Sequence, residues 1–178
     1  MALYPSGAAG ILFPVKRKIF ISYHHAGDQP YYEAFSRIFH DTYEVISDNS
    51  LERSFDSDDV TYVMRRIRET HISGTSCTIV LVGKNTWGRK YVDWEIDATL
   101  EKQHGLIGIQ LPSLPLNQDG TVTVPERLRL NIQSGYAPWV TWSHISQHPH
   151  NLLSVIETAN LKPKSLINNF APRRERNA

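Results

Sequence analysis

The sequence predicts an α/β fold: a doubly wound, mostly parallel sheet with helices on both faces. Three observations carry this. Short apolar runs alternate with amphipathic stretches from about residue 17 to residue 110, the β-α-β-α signature of a parallel sheet. The run SCTIVLVG is continuously apolar over strand length, as suits a central parallel strand buried on both faces. The segments that follow the strands hold the chemistry-bearing side chains, and ligands of such sheets bind at the carboxyl edge.

The elements follow in order. KRKIFISYHH reads as a first strand that turns polar near Ser22. Pro30 is suited to the first turn of a helix, and Tyr32, Phe35 and Phe39 then recur at helical spacing. YEVIS is a short second strand leading into the turn-rich DNSLERSFDSDD. Ser57, Asp58 and Asp59 offer caps and early negative charge to a helix over about 58–72, with Val60, Val63, Met64, Ile67 and His71 on one side. SCTIVLVG is the third strand, GRKYVDWEIDATLEK the next helix and GLIGIQL the fourth strand. Residues 112–137 read as a long irregular loop with a hairpin turn at NQDGTVTV. PWVTWSHI is expected as the edge strand, the fifth, and 150–160 as a final helix.

Composition bounds the function. A chain of 178 residues with 40% hydrophobic and 21% charged content is the size and make-up of one globular domain. We expect that domain over 17–160, with an N-terminal arm at 1–16 and a basic tail at 161–178. A net charge of +1 argues against broad capture of nucleic acid. The tail holds Lys162, Lys164, Arg173, Arg174 and Arg176 against Glu175 and reads as a solvated end. The single cysteine, Cys77, lies in an apolar run and forms no internal disulfide. The first residues make a poor signal peptide, and no apolar run approaches membrane-spanning length, so a cytoplasmic protein is expected.

Common catalytic signatures are missing. No GxGxxG follows a strand, and neither GxxxxGK[ST] nor GxSxG occurs. His144, His148 and His150 lack an HExxH pattern or a cysteine partner, so no metal site is expected. Three strand-end segments remain: FISYHHAGD, ISDNS and GKNTWGRKYVDWE. They offer aromatic faces (Tyr23, Trp87, Tyr91), donors (Ser22, His24, His25, Asn49) and carboxylates (Asp48, Glu95). That mixture suits a ligand with flat rings, hydroxyls and a cationic centre. Taken one by one, these residues also have plain structural readings as loop caps and surface pairs; their convergence on one edge is what favours a site.

At these residues the chain resembles the TIR domain family. IFISYHH is similar to the first strand box, YEVISDNSLERS to the second strand with its BB loop, and YVDWEI to the Trp-x-x-x-Glu segment of NAD-cleaving members. Within the family it looks most like the TIR-like proteins of bacterial Thoeris anti-phage systems. The resemblance covers about 17–112 and implies a flavodoxin-like, five-stranded sheet. It also implies cleavage of NAD+, as substrate and with no further cofactor, at the nicotinamide–ribose bond. The product would be an ADP-ribose-derived signal read by an effector protein, with a phage-derived trigger and self-assembly of the domain.

The resemblance carries the catalytic glutamate to Glu95. Tyr91 stands where the family has tryptophan, which keeps an aromatic face. Ser22, Tyr23, His24, His25, Asp48 and Trp87 would line the substrate site. His24 and His25 stand where some members carry basic residues, and the BB loop segment LERSFDSDD is acidic and lacks glycine. The alternative is a non-catalytic TIR scaffold, since the fold does not by itself imply chemistry. A carboxylate beside an aromatic at 91–95 favours the enzyme. A nuclease-like reading is weaker, because no acidic metal cluster is evident.

Overall fold

A computed structural model describes residues 16–47 and 59–178. Five strands, β1 (Arg17–Tyr23), β2 (Tyr43–Ile46), β3 (Cys77–Val82), β4 (Gly105–Gln110) and β5 (Trp139–Thr141), form one sheet. Their order is β2-β1-β3-β4-β5, and every pairing is parallel. This is the flavodoxin-like order, whose direction reverses between β1 and β3. The continuous run of β3 is buried throughout, as its lack of alternation requires. Each fully buried aliphatic side chain there contributes about 1.5–3 kcal/mol.

Both faces are covered. Ile19, Ile21 and Tyr23 of β1 pack with α1 (His25–Phe39) and α6 (Asn151–Leu161). On the other face Phe20 packs with α2 (Val60–Arg66), the π-helical turn Ile67–Ile72 and α3 (Lys90–Glu101). Val80, Val82 and Leu106 pack there with α3 and α4 (Glu126–Gln133). A Cβ on Gly108 would meet the Trp139 ring at 2.6 Å, so only glycine lets that indole lie across β4. No helix among the described residues is long and apolar enough to cross a membrane.

Several elements depart from the sequence reading. α1 starts at His25, five residues before Pro30, which lies inside the helix. The proline removes only a bond to the Ala26 carbonyl, and Ala26 is exposed, so water can take that acceptor's place. Asp59 caps α2 by accepting from the Tyr62 amide at 3.1 Å, as expected, but Val60 is 40% exposed. After Arg66 the helix widens to a π turn, which brings Ile67 and Ile72 together into the core.

The 112–137 stretch is not wholly irregular. Its hairpin turn is present, with an antiparallel bridge Leu116–Val122 and Gly120 at φ +80. Beyond it α4 buries Arg127, Leu128 and Asn131, a pattern that polar composition hides. The edge strand is three residues long and gives way at Trp142 to α5 (Trp142–Ser146). The C-terminal tail is not a solvated end: Asn168, Asn169, Arg173 and Arg174 bond to α3 and α4.

Candidate active site

The strand order reverses between β1 and β3, and the carboxyl ends of strands at such a reversal are where ligands of these sheets bind. Ser22 pairs in register with Val80. Period-2 alternation puts it on the same face as Phe20, under α3. Its hydroxyl is buried and has no hydrogen-bond partner among the described residues. A buried unmatched hydroxyl costs about 1–3 kcal/mol, and such groups mark places where a ligand, water or ion completes the bonding.

Glu95 lies on α3 and is 5% exposed. Two apolar stripes flank it: Val92, Ile96 and Leu100 on one side, and Tyr91, Trp94 and Ala98 on the other. At about 100° per residue, Glu95 and Thr99 fall between the stripes, at the middle of the sheet-facing side. Thr99 fixes the level. Its Oγ1 lies 2.7 Å from Thr78 Oγ1 on β3 and donates to the Glu95 carbonyl oxygen at 2.7 Å. α3 runs back against the strands, so one turn of helix toward its start, about 5.4 Å, matches two residues onward along β3, about 6.6 Å. That is the level of Val80 and hence of Ser22. The carboxylate and the partnerless hydroxyl therefore occupy the same end of the same sheet face.

The other candidates divide between sites. Tyr91 is half-buried one turn before Glu95, edge-on to Trp94 with centroids 5.7 Å apart. Tyr23 points to the opposite sheet face, stacked on Tyr32 at 4.7 Å. Its hydroxyl donates to Gln29 Oε1 at 2.7 Å and lies 3.1 Å from His25 Nδ1. His24 is buried at the strand end, where its carbonyl accepts from the Asp28 amide at 2.8 Å and starts α1. Trp87 lies on the outer side of α3, its ring 5.8 Å from the Arg174 guanidinium. Asp48 and Asn49, with most of the loop after β2, lie outside the described residues. One strand end thus sends its side chains to two faces, because alternate residues of a strand must.

Two groups went unread in the sequence. Asp28, buried in the first turn of α1, accepts from Thr86 Oγ1 at 2.8 Å, and that hydroxyl accepts from the Gly83 amide at 2.8 Å. A side chain at Gly83 would collide with the Asp28 carboxylate. This clamp joins the first turn of α1 to the loop after β3. The second group is the outer stripe of α3, Asp93, Asp97 and Glu101. Buried Arg127 donates from Nε to Asp93 Oδ1 at 3.0 Å and from Nη1 to Asn169 Oδ1 at 2.6 Å. Arg173 bonds Asp97 and Glu101, and the hydrogen bond to Asp97 raises the guanidinium's pKa. The four-residue spacing of those acids opposite a basic tail was the available signal.

Burial pushes the Cys77 thiol up to about 12, so it offers no thiolate nucleophile near neutrality. Among the described residues no cluster of three or more His, Cys, Asp or Glu side chains is arranged to hold a metal.

A family model described as "Thoeris protein ThsB, TIR-like domain" matches residues 20–115, a span that takes in Ser22, the clamp and Glu95. No curated protein sequence matches the chain. Among solved structures, the TIR domains of the activated Roq1 resistosome directly recognizing the pathogen effector XopQ align with 83% of this chain and 86% of that one. The identity is 11% and the TM-score 0.39, a distant likeness. The family match covers more than half of the sequence, and the chain belongs to the family of TIR-like domains of the Thoeris protein ThsB.

Proposed function

We propose that this domain cleaves NAD+ at the nicotinamide–ribose bond and forms an ADP-ribose-derived signal in anti-phage defence. The observation that carries the reading is the buried Glu95 carboxylate at the level of the partnerless Ser22 hydroxyl. When the C–N bond breaks, its electron pair moves to the pyridine nitrogen and neutralises that ring. The ribose is left oxocarbenium-like. Its developing positive charge needs a nearby anion held in a water-poor site, and Glu95 supplies one. A neutral leaving group needs no general acid, in contrast to ordinary glycoside cleavage. Ser22 gives the ribose or phosphate a hydroxyl partner, and Tyr91 offers a ring edge beside the carboxylate. Water or a hydroxyl of the substrate then attacks the ribose carbon. The product is read by a separate effector protein, and a phage-derived trigger switches on turnover.

The test is nicotinamide release from NAD+ by the purified chain, with and without phage-infected lysate. Glu95→Gln should lower the rate by about 100-fold or more, while its thermal unfolding remains cooperative. Wild-type turnover in the folded variant overturns the assignment of Glu95. Absence of release under every condition supports a scaffold instead.

A further inference from the structure

On the outer side of α3 a cleft of about 550 Å³ opens between the 3-10 turn Thr86–Gly88, the start of α4 and the C-terminal segment. Its size falls within the range of small-molecule sites. We propose that it binds a small anion carrying a flat ring, of the nucleoside monophosphate class. The ring-binding surface is Trp87, 39% exposed, the one aromatic among the described residues that line the cleft. An indole face takes a planar base by stacking.

The charges in the cleft can be accounted for. Asp93 is held by Arg127. Glu126 is held by Arg129, with contacts of 2.5 and 2.8 Å. Arg173 is engaged by Asp97 and Glu101. Arg174 and Arg176 line the cleft and make no ion pair among the described residues; Glu175 is the lining carboxylate left to oppose them, and Ala178 lies against Gly88 beside the cleft. Two arginine side chains can grip one phosphate group, which suits a monophosphate better than a longer polyanion.

Arg174 is also set in place before any ligand arrives. Its amide donates to Asp93 Oδ2 at 2.9 Å, and its carbonyl accepts from Trp94 Nε1 at 2.9 Å. With the backbone pinned on both sides, the guanidinium stays beside the Trp87 ring, and little ordering is left for binding to cost. Guanidinium forks match phosphate oxygens in geometry as well as charge. Asp93 and Glu95 are two residues apart on a helix and point to opposite sides, so this site is separate from the sheet-facing side that carries Glu95 and does not depend on the proposed reaction.

The experiment is calorimetric titration of the full chain with AMP, adenosine and inorganic phosphate. AMP should bind more tightly than either fragment by about tenfold or more. Arg174→Ala keeps both backbone bonds, and Arg176→Ala alters an exposed side chain; each should weaken AMP by about tenfold. Trp87→Ala should do the same, whereas Glu95→Gln should bind AMP as the wild type does. Unchanged AMP affinity in the arginine and tryptophan variants overturns the proposal. So does absence of AMP binding at millimolar concentration, or its loss in Glu95→Gln.

Discussion

Thr99 meets Thr78 hydroxyl to hydroxyl at 2.7 Å between α3 and β3, and both residues are fully buried. This contact sets how far α3 has slid along the sheet, and so the depth at which Glu95 sits. Thr99→Val keeps the shape but strands the Thr78 hydroxyl. The expected loss is about 1–3 kcal/mol, read as a lower urea midpoint at unchanged slope. Thr99→Ser should recover most of it. Equal stability of the valine variant and the wild type would show that the contact fixes nothing.

Ser22→Ala should separate stability from function. The substitution deletes a buried hydroxyl that has no partner among the described residues, so stability should hold or rise by about 1 kcal/mol, a gain of about 2–4 °C in Tm for a chain of this size. NAD+ turnover should fall, because sites that bind ligands trade stability for polar groups awaiting a partner. A drop in Tm would mean that the hydroxyl serves the fold.

Arg127 is buried against Asp93 and Asp97. Arg127→Met leaves those carboxylates short of a counter-charge and should cost about 3–5 kcal/mol. Combining it with Asp93→Asn should cost less than the two single changes added, by about 0.5–3 kcal/mol in a double-mutant cycle. Strict additivity would show that the pair is not coupled.

Burial lowers the pKa of His104, helped by the positive charges of Lys102 and Lys164. The folded value therefore lies below the unfolded value of about 6.5. Between the two, the unfolded chain binds more protons, so stability is full above the unfolded value and is lost as pH falls through the folded one. Thermal melts at descending pH should show wild type losing Tm faster than His104→Gln. Parallel profiles would exclude His104 as the source.

Much of this molecule was legible in local pattern. The unbroken apolar run of β3, the capping acid Asp59 and the spacing of Phe35 and Phe39 each report a nearest-neighbour constraint. Glu95 stood out through its convergence with the other strand-end residues and through the resemblance of YVDWEI to the Trp-x-x-x-Glu segment. By itself, a carboxylate one turn after Tyr91 on a helix reads equally well as a surface pair. α4 was harder to read, since its buried residues include Arg127 and Asn131, whose polarity is cancelled by partners from elsewhere in the chain. The docking of the tail was missed for the same reason: isolated arginines read as solvated until their acids come into place.

By itself the sequence determined the alternation of strands and helices, and which loops carry polar and aromatic groups. Period and hydrophobicity act within a few residues, so they are visible along a line of text. Only the tertiary structure decided that Ser22 faces α3 while Tyr23 faces α1, that Trp87 belongs to the tail cleft and that Asp28 locks Gly83. Those assignments depend on packing and charge pairing between segments tens of residues apart, which local spacing does not encode.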